Sequence, residues 1–219
     1  MSFIIGTGYH RRDESSENFA KIWYGNLRRY TPFPKRIAVI STGAPFPVVA
    51  DEINVYYGEN IGHVEGGDDS PELQGCSGAM LALCLLAYNS HSDLVFKEQD
   101  VLCFGPWLEK AYEDLGRGGM VFGHPMSSAP WMPCAMGVYI IKRWFLLEFV
   151  RRYIAVGNCI GMYPEHKLCG LASQDPESFR RLSFGCDRER PLPVKAPVWY
   201  AQRLTPEELS ILDECQMIQ

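Results

Sequence analysis

The chain has 219 residues, 47% of them apolar and 12% aromatic, which suffices for one sizeable core and excludes general disorder. A net charge of −5 argues against nucleic acid or an anionic membrane surface as partner, since both are held by clustered Lys and Arg. The eight cysteines are scattered, several within apolar runs and none in a CxxC pair, so they read as reduced core residues of a cytoplasmic protein, not as a disulfide framework or zinc site.

Phe3 to Gly8 predict a short buried strand. A helix follows, capped by Ser15 or Ser16, on which Phe19, Ile22, Trp23, Leu27 and Tyr30 recur with helical period. "TPFPK" ends it and "RIAVIST" is a second strand, so the chain opens β-α-β, the unit of a parallel sheet. "INVYYG" and "IGHVE" read as half-buried strands. Ser70 and Pro71 then start a helix that is apolar nearly all round, and Gly75, Ser77, Gly78 and Ala79 leave its first turns open to another backbone or to a ligand. Its apolar core, "AMLALCLLAY", is about half a membrane span, and the N-terminus turns polar too soon for a signal peptide.

The next run, "LVFKEQDVLCFG", interrupts an apolar strand with Glu98 and Asp100. In a strand, residues i and i+2 share a side, so the two carboxylates are expected to converge at the carboxyl end of the sheet, where open α/β folds bind ligands. Two hard oxygen donors suit Mg2+ or Mn2+, though acids at a strand end also serve as solvated or capping groups. Further on come a helix "GPWLEKAYEDLG" ended by Gly116, with Trp107 on its core side, and a strand "GMVFG". An aperiodic loop "HPMSSAPWMPC" carries Trp131 and Met132. An amphipathic helix is predicted over "IIKRWFLLEFVRRYIAVG", with Lys142, Arg143, Glu148, Arg151 and Arg152 on its wet face and Gly157 as its stop. A last helix opens with a capping box, Thr205 to Glu208.

Four stretches, "FKEQDVLCFGPWLEKAYEDLG", "GMVFG", "YPEHKL" and "FGCDRERPLPVKAPVWYAQRLTPEEL", resemble short glycosyltransferases of GT-A type, a family that includes the chlorella-virus enzyme modifying the viral capsid protein. The resemblance covers most of the chain beyond residue 90 and is looser before it. It implies a single α/β domain, 1–219, with a mixed, mainly parallel sheet flanked by helices. Residues 1–105 would be the nucleotide-sugar half and 106–219 the acceptor half. It also implies a hexosyl- or deoxyhexosyltransferase reaction between a nucleoside-diphosphate sugar, uridine being the family's commonest base, and a hydroxyl of a glycan or glycoprotein.

By the same resemblance "EQD" stands where the family carries DxD. Asp100 would hold Mn2+ or Mg2+, with Glu98, in place of the usual Asp, beside it or acting through water. Thr7, Gly8 and Tyr9 would meet the base and ribose, with Gly78 close by. An inverting transfer needs a general base, for which Glu165 in "YPEHKL" is the candidate, with His166 next to it. A Glu in a first helical turn also serves simply to stabilise the helix. Arg188, Arg190 and Lys195 are candidates to close over the diphosphate, and Trp131 to carry a sugar ring. Two other readings stay open: a nucleotidyltransferase of related fold, and a domain that binds a nucleotide sugar or glycan without turning it over. The Rossmann and P-loop fingerprints are absent, and "GCSGA" lacks the spacing of a serine-hydrolase elbow.

Overall fold

The computed structural model describes residues 2–11, 14–31, 36–42, 44–58, 74–124, 133–156, 164–184, 192, 197–202, 204–205 and 207–210. Strand β1 (Phe3–His10) runs past the apolar segment through Tyr9 and His10, because its last residues still find a partner in β2 (Ile37–Thr42), His10 pairing with Thr42. Between them α1 (Glu14–Tyr30) begins before either serine, so Ser15 and Ser16 lie in its first turn. Ile22, expected on the apolar face of α1, is exposed, while the polar Asn26 is buried. Beyond β3 (Ile53–Gly58), the predicted "IGHVE" strand and the Ser70–Pro71 helix start lie outside the described residues, and α2 is described from Gln74 to Asn89.

The acid-bearing run is not one strand. It forms β4 (Asp93–Lys97), a turn over Glu98, Gln99 and Asp100, and β5 (Val101–Phe104). The Val101 amide donates to the Glu98 carbonyl at 3.1 Å and closes that turn. Then come α3 (Trp107–Leu115), stopped as expected at Gly116 with φ +51°, and β6 (Met120–Phe122). The helix predicted from Ile140 onward is corrected in its first half: Val138–Ile141 is β7, a 3-10 turn follows at Arg143–Phe145, and α4 spans Leu146–Ala155. The strand prevails because Val138–Ile141 is buried between β4 and β6, and because Asp93 accepts from the Arg143 amide at 2.8 Å, fixing the turn. The remaining elements are α5 (Pro164–Gln174), β8 (Phe179–Arg181) and β9 (Trp199–Gln202). The final capping box forms: the Thr205 amide donates to Glu208 Oε2 at 2.9 Å and the Glu208 amide to Thr205 Oγ1 at 3.2 Å.

Seven strands make one sheet in the order β3-β2-β1-β4-β7-β6-β8, parallel throughout except for β7, and β5 pairs antiparallel with β9 in a separate ribbon. Alternate residues of β1 and β4 feed opposite faces. Ile5, Tyr9 and Val95 join α1, α3 and the ribbon; Ile4, Leu94 and Phe96 join α2, α4 and α5. Both faces are therefore covered, which is why Leu94, Val95 and Phe96 follow one another in β4 without alternation. Gly6 lets α2 lie close, since a Cβ there would stand 2.9 Å from the Leu83 methyls.

Candidate active site

The carboxyl end of β4 collects the chemistry. Glu98 and Asp100 project from the turn, both half-buried, and the side-chain amide of Gln202 on β9 lies between them. Its Nε2 donates to Glu98 Oε2 at 2.9 Å and to Asp100 Oδ1 at 3.2 Å, while its Oε1 accepts from the Tyr200 hydroxyl at 2.9 Å. The two carboxylates converge as expected, but through a turn instead of strand pleating, and an amide bridges them. The local sequence "WYAQ" carries no sign of this role; only the pairing of β5 with β9, Val101 opposite Gln202, brings Gln202 to the acids.

Gln99, between the two acids, behaves as an extra strand residue. Its Oε1 accepts from the His10 amide at 3.0 Å and its Nε2 donates to the His10 carbonyl at 3.3 Å, tying the turn to the end of β1. On the other side the Glu98 amide donates to the Gly137 carbonyl at 2.8 Å. A side chain at Gly137 would lie 2.9 Å from both the Tyr200 hydroxyl and Val101 Cγ2, so only glycine lets that backbone come close. The turn is thus held from β1, β7 and β9 at once.

Behind it lies Lys97, fully buried. Its Nζ donates to Asn26 Oδ1 at 2.6 Å and sits 5.7 Å from the centre of the Trp23 ring; the same Asn26 oxygen accepts from the Cys103 amide at 3.0 Å. Burial pulls the ammonium down to about 8 and pushes the Cys103 thiol up to about 12. This also explains why Asn26 is buried on α1.

Thr7 and Tyr9 are buried, Thr7 donating to the Gly8 carbonyl at 3.2 Å and Tyr9 packing edge-on to Phe46 at 5.1 Å. Gly8 runs beneath α2, where an added Cβ would touch that of Ala79 at 3.4 Å, while Gly78 opens to free space. Trp107 is core, as expected, its indole N–H donating to Thr31 Oγ1 at 3.2 Å.

Glu165, half-buried, lies in the first turn of α5, the helix start expected, and its carbonyl oxygen is 3.5 Å from Cys134 Sγ; His166 is exposed. Residues 133–137 fold back on the end of β6, the Gly123 amide donating to the Ala135 carbonyl at 3.1 Å and the Ala135 amide to the His124 carbonyl at 2.8 Å. Lys97 pairs with Val138 and Phe122 with Tyr139, so the start of α5 shares the sheet end that carries the acid pair. Trp131, Met132, Arg188, Arg190 and Lys195 lie outside the described residues.

Neither family models nor curated proteins match the chain in sequence. Solved structures do match in three dimensions. The galactosyltransferase LgtC, in complex with donor and acceptor sugar analogues, aligns over 95% of this chain and 88% of its own, with TM-score 0.55 and 11% identity. A glycosyltransferase involved in glycosylation of the major capsid of PBCV-1 aligns over 99% and 100%, with TM-score 0.52 and 12% identity. A candidate glucose-1-phosphate thymidylyltransferase from Bacillus anthracis, in complex with sucrose, aligns over 98% and 94%, with TM-score 0.54 and 9% identity. Together with a mainly parallel sheet in which one inner strand is reversed, these near full-length alignments establish that the chain has the GT-A fold.

Proposed function

We propose that the chain is a divalent-cation-dependent glycosyltransferase that moves a sugar from a nucleoside-diphosphate sugar, with uridine the first base to try, to a hydroxyl of a glycan or glycoprotein. The supporting observation is the convergence of Glu98 and Asp100 on one point at the carboxyl end of a GT-A sheet. Hard oxygen donors that already share one N–H2 group suit Mn2+ or Mg2+. Among the described residues no third His, Cys, Asp or Glu joins them; Gln202 presents its N–H2 group to the acids and its oxygen to Tyr200, so it would join as an oxygen donor only once its amide turned over. When bound, such a cation neutralises the charge that develops on the departing diphosphate.

The chain's own groups orient and exclude. Gln99 and Gly137 hold the turn rigid, and Gly78, beside open space, lets a nucleotide approach the backbone, with Thr7, Gly8 and Tyr9 proposed to form the strand end beneath its base and ribose. Glu165 is the proposed base that takes the proton from the acceptor hydroxyl. Arg188 and Arg190 are proposed to neutralise the diphosphate, and Trp131 to stack on a sugar ring.

A nucleotidyltransferase shares the fold but needs a basic, Gly-rich loop directly after its first strand. Here β1 continues through His10, fastened by Gln99, and Arg11 is ion-paired with Glu17 at 3.0 Å. The reactions separate by product: nucleoside diphosphate for sugar transfer, pyrophosphate for nucleotidyl transfer, neither for a binding domain. The test is release of free nucleoside diphosphate from uridine, guanosine, cytidine and thymidine diphosphate sugars, with and without Mn2+. Asp100→Ala is expected to lower cation-dependent release roughly a hundredfold or more with little change in Tm, since a half-buried turn carboxylate is not core. Undiminished release in that variant overturns the assignment.

A further inference from the structure

We propose that Cys134 and Cys169 form a peroxide-responsive dithiol, with Cys169 as the attacking sulfur and Cys134 as the resolving one. The pair comes from distant parts of the chain, Cys134 just before β7 and Cys169 in the second turn of α5, and the contacts are reciprocal. Cys169 Sγ lies 3.4 Å from the Pro133 carbonyl oxygen and Cys134 Sγ lies 3.5 Å from that of Glu165, so each thiol packs against the backbone beside the other. Arg181 Nη2 donates to Cys169 Sγ at 3.3 Å. That guanidinium is fixed in place: its Nη1 donates to the Gly123 carbonyl at 2.8 Å, and it lies 4.0 Å from the centre of the Phe122 ring.

This geometry divides the labour. The neighbouring Cys134, then Arg181, then the nearby His166 draw the Cys169 thiol below its usual range, to about 6, while the Cys134 thiol is held above its usual range. Cys169 is half-buried and reachable, whereas Cys134 is buried. In the first step the Cys169 thiolate attacks a hydroperoxide: an S–O bond forms, the O–O bond breaks, sulfur gives up two electrons, and the leaving oxygen takes a proton to become water or alcohol. In the second, the Cys134 sulfur attacks the sulfenic acid. The S–S bond forms, the S–OH bond breaks, and the hydroxyl leaves as water with the Cys134 proton. The product fastens α5, and with it Glu165, to the segment leading into β7. The chemistry itself does not depend on the sugar-transfer reading.

The intact chain is treated with graded hydrogen peroxide, quenched with N-ethylmaleimide and mapped by peptide mass spectrometry. A Cys134–Cys169 cross-link, two hydrogens lighter and reversed by dithiothreitol, is expected before any change at Cys84 or Cys103, whose thiols are buried and pushed up by desolvation. Cys134→Ser is expected to stop at a dimedone-trappable sulfenic acid on Cys169, and Cys169→Ser to leave Cys134 reduced. Arg181→Met is expected to move the pH midpoint of Cys169 alkylation upward and Arg181→Lys to restore it in part. Oxidation that spares Cys169 while modifying Cys84 or Cys103, or that carries Cys169 to the sulfinic acid with Cys134 untouched, overturns the proposal. An alkylation midpoint unmoved by Arg181→Met overturns the role of the arginine.

Discussion

Lys97 stands fully buried one residue before the acid pair, and its environment gives a pH signature. Its folded-state pKa, about 8, is depressed, so above that pH the folded protein sheds a proton that the unfolded chain keeps until about 10.4, and stability rises with pH. Cys103 runs the other way. Its thiol, pushed up to about 12, keeps its proton in the fold while the unfolded thiol ionises near about 8.5, so stability falls with pH. Between about pH 8.5 and 10 the two slopes cancel. In Lys97→Met the Cys103 slope is left uncompensated, and the unfolding free energy from urea titrations is expected to fall more steeply by about 1.4 kcal/mol per pH unit. Parallel pH profiles for parent and variant would refute this account. None of it was legible in "FKEQDVLCFG": the alternation that turns Lys97 toward α1 is visible, but Asn26 and Cys103 meet it only through tertiary packing. Gln202 was missed for the same reason, whereas Glu98 and Asp100 were conspicuous because charge is costly within an apolar run.

Among the elements, the opening β-α-β, α3 with its Gly116 stop and the last capping box were readable, since each depends on neighbours in sequence. The strand β7 was not. Four apolar residues directly before an amphipathic helix have no boundary that periodicity can detect, and only pairing with β4 and β6 decides their state. The ribbon β5–β9 is the element on which the site rests. Gly105 ends β5 with φ +68°, where a Cβ would stand 1.8 Å from the Pro197 carbonyl oxygen, and Phe104 stacks on Trp199 with ring centres 3.6 Å apart. Gly105→Ala therefore combines left-handed strain with a backbone clash, and a loss of about 2–4 kcal/mol in chemical unfolding is expected. Because β9 carries Gln202, the same variant is expected to weaken any Mn2+-dependent thermal shift; a stable, fully responsive Gly105→Ala would show that the ribbon does not position the acids.

For the whole molecule, GT-A topology brings the ends of β1, β4 and β6 and the start of α5 to one edge. A nucleoside diphosphate that binds only the folded state at a hundred times its Kd adds about 2.7 kcal/mol, or about 5–10 °C in Tm for a chain of this size. On the proposed function this increment requires Mn2+ or Mg2+ and disappears in Asp100→Ala, while Gln202→Glu is expected to lower the cation-free Tm and to tighten cation binding. A shift independent of metal would count against the acid pair as its site.

The bridge from Gln202 to Glu98 spans 104 residues of chain. During synthesis the seven sheet strands, the last of them β8, are translated before Gln202, so the acid turn is made well before the amide that joins its carboxylates. The site therefore closes only once β9 has joined β5, and until then Glu98 and Asp100 lack the amide that holds them together.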